Sequence, residues 1–282
     1  MQHVTVRVPA STSNLGPGFD CLGVALRLYN DVTVRRRRGA RLDSMMRQAG
    51  EKFFARAGVP PFPFSCAITG DIPASRGLGS SVTVRLGVMH SLNTLAGRPL
   101  GREKIFALCA ELEGHPDNAA PAAFGGFHVA RPTSTQRFVV SASLKFILLI
   151  PDLEVRTKKA RDLLPARIAR GGAVESCGNA CAITAAFASR DYAQLRGMFA
   201  DRLHQPFRKP LVPFFDDVIA AAEEAGALGG FLSGSGSTIA AVTLVSARKV
   251  AAAMKAVVPS ARVIVTTADN TGARVLACTK QP

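Results

Sequence analysis

The chain has no tryptophan, only two tyrosines and 6% aromatic residues, so it offers little material for stacking nucleic-acid bases. It is also short of acid: 20 Asp and Glu stand against 35 Lys and Arg, a formal net charge of +15 over 282 residues. No stretch approaches the ~18 uninterrupted apolar residues of a membrane helix, and the longest obvious run, Phe146 to Ile150, is strand-sized. The start, Met1-Gln2-His3-Val4, has no basic segment followed by an apolar one, so a cytoplasmic location is expected. The six cysteines (Cys21, Cys66, Cys109, Cys177, Cys181 and Cys278) include no C-x-x-C pair. Cys177 and Cys181 are one helical turn apart, but no His or Cys cluster adjoins them to complete a zinc site. The cysteines therefore read as small thiols of a reducing compartment.

What is present is globular. Hydrophobic residues make up 48% and charged residues 20%, with a mean hydropathy of +0.18, which excludes wholesale disorder. The length suits two domains, each with its own core. Only nine of the basic residues are lysine, and Arg35-Arg36-Arg37-Arg38 is the one dense basic run. The remaining arginines are scattered, and no helix-turn-helix, zinc-finger or RNA-recognition motif accompanies them. A basic surface serving an anionic small ligand is a better reading than nucleic-acid binding, and no membrane association is expected.

Along the chain, Val4, Val6 and Val8 alternate with polar residues as a strand, ended by Pro9. Residues 10–20 read as a polar loop and 22–34 as further strand. The spacing predicts helices over 44–57, 82–96 and 102–113, with strands over 64–69, 126–130, 138–140 and 144–150. Pro151 is the best domain boundary, dividing the chain into 1–150 and 151–282. The second half mixes helices near 173–188, 191–199, 213–225 and 246–257 with strands near 228–232, 238–244, 262–266 and 274–278. The fold class is α+β in both halves.

Three loops carry the chemistry. Pro73, then Gly77-Leu78-Gly79-Ser80-Ser81, lies between a strand and a helix. Glycines let the backbone approach an anion, and the helix start behind them presents unpaired N–H groups and a positive dipole end. No G-x-x-x-x-G-K-[ST] motif exists; a plain turn with a serine cap is the structural alternative. Ser233-Gly234-Ser235-Gly236-Ser237 is a second small-residue loop between two apolar runs. The third, residues 10–20, holds Ser11, Ser13, Asn14 and Asp20 at a strand end. Polar loops at several strand ends point to one site assembled from several segments.

Together these loops resemble the motifs of the GHMP kinases, within which the homoserine kinases are most similar. The stretches that carry the resemblance are Pro9 to Asp20, Glu113-Gly114-His115-Pro116-Asp117-Asn118 with Ala119 to Ala122, and Lys159-Ala160-Arg161-Asp162-Leu163-Leu164-Pro165. Gln205-Pro206-Phe207-Arg208 and Thr271 to Val275 add to it, so the likeness runs nearly the whole chain. It implies an N-terminal domain like domain 2 of ribosomal protein S5 and a ferredoxin-like C-terminal domain. It also implies ATP on Pro73, Gly77–Ser81 and Ser233–Gly236, with Mg²⁺ held by Ser81 and Glu113. Glu111 is the other acid nearby, but helical geometry points it elsewhere.

The implied acceptor is L-homoserine, phosphorylated to O-phospho-L-homoserine in threonine biosynthesis. Its ammonium would meet Asp20, its carboxylate Arg161 and Arg208, and its reacting hydroxyl Asn14 and Asn118, with His115 nearby. Transfer would rest on alignment and transition-state stabilisation, with Asp117 as a general base the alternative. The resemblance further implies a homodimer. Between Val34 and Ser44 the chain is short and arginine-rich where the family carries a longer hairpin, which leaves the adenine contacts unassigned. A sister kinase of another hydroxyl compound and a catalytically weak paralogue are the alternative functions.

Overall fold

The computed structural model describes residues 3–37, 41–131 and 134–279. Arg38 of the basic run and the first two residues, Met1 and Gln2, lie outside them. Strand β1 (His3–Asn14) buries Val4, Val6 and Val8 on one face, as their alternation predicts. It does not stop at Pro9. The register shifts between Pro9 and Ala10, and the neighbouring strand on the other side reaches only to Arg7. A proline without an N–H is tolerated at such a bulge beside an uncovered edge. The expected loop 10–20 therefore shrinks to the turn at 15–17, and β2 (Gly18–Arg36) follows as one continuous strand of 19 residues.

Helix α1 (Ser44–Ala57) begins where Asp43 accepts a 2.7 Å bond from the Met46 N–H, and it ends at left-handed Gly58. Then come β3 (Phe64–Gly70), α2 (Ser80–Leu95), α3 (Arg102–Glu113), the short α4 (Ala119–Phe124), β4 (Phe127–Arg131), β5 (Ser134–Phe138) and β6 (Lys145–Ile150). Beyond Pro151 lie α5 (Thr157–Asp162), α6 (Arg170–Ser189), α7 (Gln205–Arg208), α8 (Phe215–Glu224), β7 (Gly229–Leu232), β8 (Ile239–Thr243), α9 (Ala247–Val257), β9 (Arg262–Thr266) and β10 (Arg274–Thr279). The helix expected at 191–199 is only a 3-10 turn at Tyr192–Leu195, and β5 precedes the strand expected at 138–140.

The first sheet runs β10-β1-β2-β4-β5, with β3 also on β2. The second runs β7-β8-β6-β9, all antiparallel, which is the strand order of a ferredoxin-like βαββαβ unit. The sheets do not divide at Pro151. Strand β6 precedes that residue yet is central in the second sheet, and β10 returns to the edge of the first. Pro151 is a sharp local stop, and strand pairing is a long-range matter that a local stop does not report.

Helix α2 packs on β1 and β2 between α1 and α3, burying Val82, Leu86, Met89 and Leu92. Helices α8 and α9 cover the outer face of the second sheet, where Val218, Ala222, Val250 and Met254 are buried. Between the sheets, Leu22, Val24, Leu26 and Phe127 join Phe146, Leu148 and Phe231 in one core, with Phe127 stacked on Phe187 at 4.1 Å. Burying these side chains stabilises by roughly 1.5–3 kcal/mol each before chain entropy is set against it.

This core fixes the distance from β2 to the loop after α3. A Cβ on Gly23 would stand 2.0 Å from the Asp117 carbonyl oxygen and 3.0 Å from Pro121 Cγ. Gly23→Ala is expected to destabilise the fold by about 1–3 kcal/mol, the range for overpacking, read as a lower Tm in calorimetry. An unchanged Tm would mean that the Asp117 loop yields freely.

Candidate active site

One cavity of about 590 Å³ opens where the strand ends and helix starts of both halves converge, a volume typical of small-ligand sites. Its walls come from the β1–β2 turn (Ser13, Asn14, Phe19, Asp20), the run Ala74–Val82, the end of α3 and the loop after it, α5, α7 and Gly234–Ser235. Four arginines (Arg76, Arg85, Arg161, Arg208) and four acids (Asp20, Asp43, Glu113, Asp117) line it.

The glycine loop is shaped by its neighbours as much as by any anion. Gly77 (φ 73°) has no room for a Cβ, which would lie 2.0 Å from the Ser233 carbonyl oxygen. Gly79 (φ 68°) would meet Ser11 Oγ at 2.2 Å. Ser233 binds inward: its Oγ donates to the Gly77 carbonyl at 2.6 Å and shares a 2.8 Å bond with Thr12 Oγ1. The Gly234 N–H donates to the Ser13 carbonyl. Gly79 is the N-cap residue of α2, and no side chain caps that end, so the structural alternative of a serine-capped turn is not what the chain forms. The helix thus meets the cavity with uncapped N–H groups and its positive dipole end.

Glu113, at the C-terminus of α3, faces that helix start. Ser81 Oγ donates to Glu113 Oε2 at 2.9 Å, and Arg85 Nη1 donates to Glu113 Oε1 at 2.5 Å and to the Leu112 carbonyl at 2.8 Å. The Arg85 and Glu113 side chains are only 13% and 11% exposed, so deleting either partner would strand a nearly buried charge. Glu111 points away and pairs with Lys52 on the outer surface. Glu113 is therefore the acid that reaches the cavity.

The opposite wall is an ion-pair lattice. Arg161 grips Asp20 with both ends of its guanidinium, at 2.8 and 2.9 Å. Arg208 is buried, its Nη1 donating to the Gly234 carbonyl and to His204 Nδ1, its Nε to the Ala160 carbonyl. Burial, with Arg161 nearby, lowers its pKa to about 10. Because arginine only donates, His204 Nδ1 accepts and its Nε2–H donates to the Gly16 carbonyl at 2.8 Å, so the ring is neutral. Phe19 lies under both guanidinium groups, at 5.2 and 5.3 Å, and stacks on His204.

In the loop after α3, His115 Nδ1 and Asp117 Oδ1 are 2.7 Å apart. Burial depresses the His115 pKa, but the Asp117 hydrogen bond and the Asp117 and Asp20 charges outweigh it and raise the value overall. Asp20, His115 and Asp117 lie close enough together to suggest a metal site, yet Asp20 is already neutralised by Arg161 and Asp117 is held by His115. Asn118 accepts from Ser11 Oγ and donates to Ser13 Oγ, at 2.8 and 2.9 Å. Asn14 (φ 70°) gives its amide to backbone, donating to the Gly234 carbonyl and accepting from the Asp20 N–H. It positions the turn that carries Asp20.

A family model described as the GHMP kinases N terminal domain matches residues 44–126, and its C terminal counterpart matches 183–260. A homoserine kinase of Caldicellulosiruptor bescii is 39% identical over 257 residues, spanning 85% of this chain and 84% of that protein. The chain belongs to the GHMP kinase family. A homoserine kinase of Moorella thermoacetica is 37% identical over 269 residues, 89% of this chain and 91% of its own length. The crystal structure of homoserine kinase from Cytophaga hutchinsonii matches with a TM-score of 0.89 at 29% identity, over 97% of both chains. The Methanococcus jannaschii mevalonate kinase shares the fold, with a TM-score of 0.71 at 14% identity over 94% of this chain and 98% of that one.

In this GHMP kinase the cavity gathers Asn14, Asp20, Gly77, Leu78, Gly79, Ser80, Ser81, Glu113, His115, Asp117, Asn118, Arg161, Arg208, Gly234 and Ser235. Pro73, Ser233 and Gly236 do not line it. Ser233 and Gly236 brace the back of the Gly77 turn, a role that small residues in a loop resemble from sequence. Sequence reasoning passed over Phe19, Thr157, Arg76 and Arg85. Arg85 was legible, since it follows Ser81 by four residues and so shares its helix face.

Three buried histidines set the acid response. Burial lowers His204, His128 and His90 each to about 4, against about 6.5 in the unfolded chain. From pH 6.5 down to 4 the unfolded chain takes up protons that the fold refuses, so stability falls with pH across this window. His204→Gln is expected to make urea midpoints less steep over that range. An unaltered slope would mean that His204 does not titrate this way. His115 acts in the opposite sense, its contribution present at acid pH and lost as pH rises past its raised value.

Proposed function

We propose that this GHMP kinase transfers the γ-phosphoryl group of ATP to the side-chain hydroxyl of L-homoserine, releasing ADP and O-phospho-L-homoserine. One observation carries the reading. A helix start without a side-chain cap and a charge-paired pocket of Asp20, Arg161 and Arg208 open into the same cavity. The first suits a triphosphate; the second offers an anion and two guanidinium groups to a zwitterion of matching charge. The curated relatives named homoserine kinase, 36–39% identical over most of the chain, point to the same substrate.

The triphosphate would lie along Gly77–Ser81 with the base toward Met45, Ile68 and Val82. Homoserine would exchange charges with the Asp20–Arg161 pair, its ammonium on Asp20 and its carboxylate on Arg161 and Arg208. The hydroxyl then faces Asn118, whose amide is already fixed by Ser11 and Ser13. The hydroxyl oxygen attacks the γ-phosphorus as the bond to the bridging β,γ-oxygen breaks, and that electron pair leaves with ADP. Asp117 is 1% exposed and its Oδ1 is engaged by His115, so it is shielded from the acceptor hydroxyl; the hydroxyl proton passes to the transferred phosphoryl group. Rate comes from alignment and fixed dipoles.

Glu113 and Ser81 fit a magnesium ion: one carboxylate and one hydroxyl beside a phosphate site is the oxygen-rich, few-ligand set that Mg²⁺ takes. When bound, the ion would screen charge on the phosphoryl oxygens. The reading extends to a homodimer in the cytoplasm, serving threonine biosynthesis; sedimentation reads the dimer directly.

A coupled ADP-release assay over L-homoserine, L-threonine, mevalonate and shikimate tests the substrate, with homoserine expected to give the highest kcat/KM. A preference for mevalonate or shikimate would overturn the assignment. Arg161→Ala should raise KM for homoserine by roughly 10–100-fold, the loss of a charge-assisted bond worth about 1.5–3 kcal/mol, while KM for ATP changes little. Equal effects on both would remove Arg161 from the acceptor site. Arg161 is the better probe because Arg208 is buried in backbone bonds whose loss would disturb the fold.

A further inference from the structure

We propose that Arg85 is a resident counter-ion that closes Glu113 to a bare divalent cation and releases it only when a polyphosphate arrives with the metal. The proposal rests on the reading of Glu113 as a metal-holding residue. Arg85 sits one turn into α2, on the face that carries Ser81, and lines the cavity beside Glu113 and Leu112. Its Nη1 holds Glu113 Oε1 at 2.5 Å, and Ser81 holds Oε2 at 2.9 Å, so both carboxylate oxygens are engaged. The Leu112 carbonyl takes a second bond from the same Nη1, which ties the guanidinium to the end of α3.

Electrostatics make this pair a selective obstacle. A lone Mg²⁺ or Mn²⁺ approaching Glu113 would have to displace Arg85 from a site only 11–13% exposed, and then sit beside the guanidinium it displaced. Like charges at short range in a partly dry site repel strongly. A triphosphate reverses the balance, since its oxygens can accept from Arg85 while others, with Glu113, hold the ion. Arg85 has donor capacity to spare: its Nε is buried and has no hydrogen-bond partner among the described residues. An unmet buried donor is itself unfavourable, so the present pairing is a closed but incomplete arrangement. Metal and nucleotide would then bind as one unit, each poorly without the other.

Water-proton relaxation enhancement by Mn²⁺, which reports metal held on the macromolecule, reads this without any turnover. The full chain with Mn²⁺ alone should bind weakly. Arg85→Leu should tighten Kd for Mn²⁺ at least tenfold, Arg85→Lys should return it toward the wild-type value, and adding Glu113→Gln to Arg85→Leu should abolish the gain. Wild type and Arg85→Leu binding Mn²⁺ equally would overturn the proposal. It would fall alone if Glu113→Gln still weakened binding of Mn²⁺ with a non-hydrolysable ATP analogue. Tight binding that survived Glu113→Gln in the Arg85→Leu background would place the ion elsewhere and overturn both readings. Should Arg85→Leu fail to fold, the wild type decides: strong enhancement with Mn²⁺ and tripolyphosphate but not with Mn²⁺ alone supports the gate, and equal enhancement in both overturns it.

Discussion

Three backbone approaches are too close for a side chain to intervene, and the site depends on them. The Gly77 backbone lies against Ser233 and Gly236, Gly79 lies against Ser11, and Gly23 lies against the Asp117 carbonyl. These approaches tie the start of α2 to β1 and to the loop between β7 and β8, and tie β2 to the loop after α3. A chain with Cβ atoms at those points could keep both sheets and still lose the cavity. Serine and threonine hydroxyls complete the seam, because Ser233, Thr12, Ser11 and Ser13 hydrogen-bond across it. Preorganised loops of this kind hold donors in place before any ligand binds.

Charge inside the cavity is arranged as exchangeable pairs. The chain as a whole is strongly basic, but the cavity lining holds four acids beside its four arginines. Asp20 is matched to Arg161, and Glu113 to Arg85. The Arg85–Glu113 pair is the nearly buried one, so breaking one side of it alone strands a charge, whereas Asp20 and Arg161 are both partly exposed. The two pairs also set what can enter: a ligand must bring charge of both signs, in the right places, to replace the pairs it opens. A zwitterionic amino acid and a metal-bound polyphosphate both satisfy that condition.

Short-range signals in the sequence were dependable. Helices α1 and α3 occupy the residues that their spacing predicts, and the structure closes them with the Asp43 cap and with left-handed Gly58 and Gly114. The valines of β1 and the apolar repeat of α2 chose their buried faces correctly. Signals that failed were those whose meaning depends on a distant partner. Pro9 ends a strand only if that strand is paired on the proline side, and here it is not. Helices α4, α5 and α7 are too short, at four to six residues, to show a period. Serine and glycine at 233–236 look alike whether they line a cavity or brace a loop, and the structure puts Gly234 and Ser235 on the cavity wall while Ser233 braces the Gly77 turn.

By itself, then, the amino-acid sequence determined the mixed helix-and-strand character, the glycine turn before α2 and the order of the family motifs, since each is written in neighbouring residues. Tertiary structure alone decided which strand joins which sheet and that Arg85 claims Glu113. These outcomes are set by contacts between residues tens of positions apart. Distance along the chain carries no record of them until the sheets pack and bring their ends to one place.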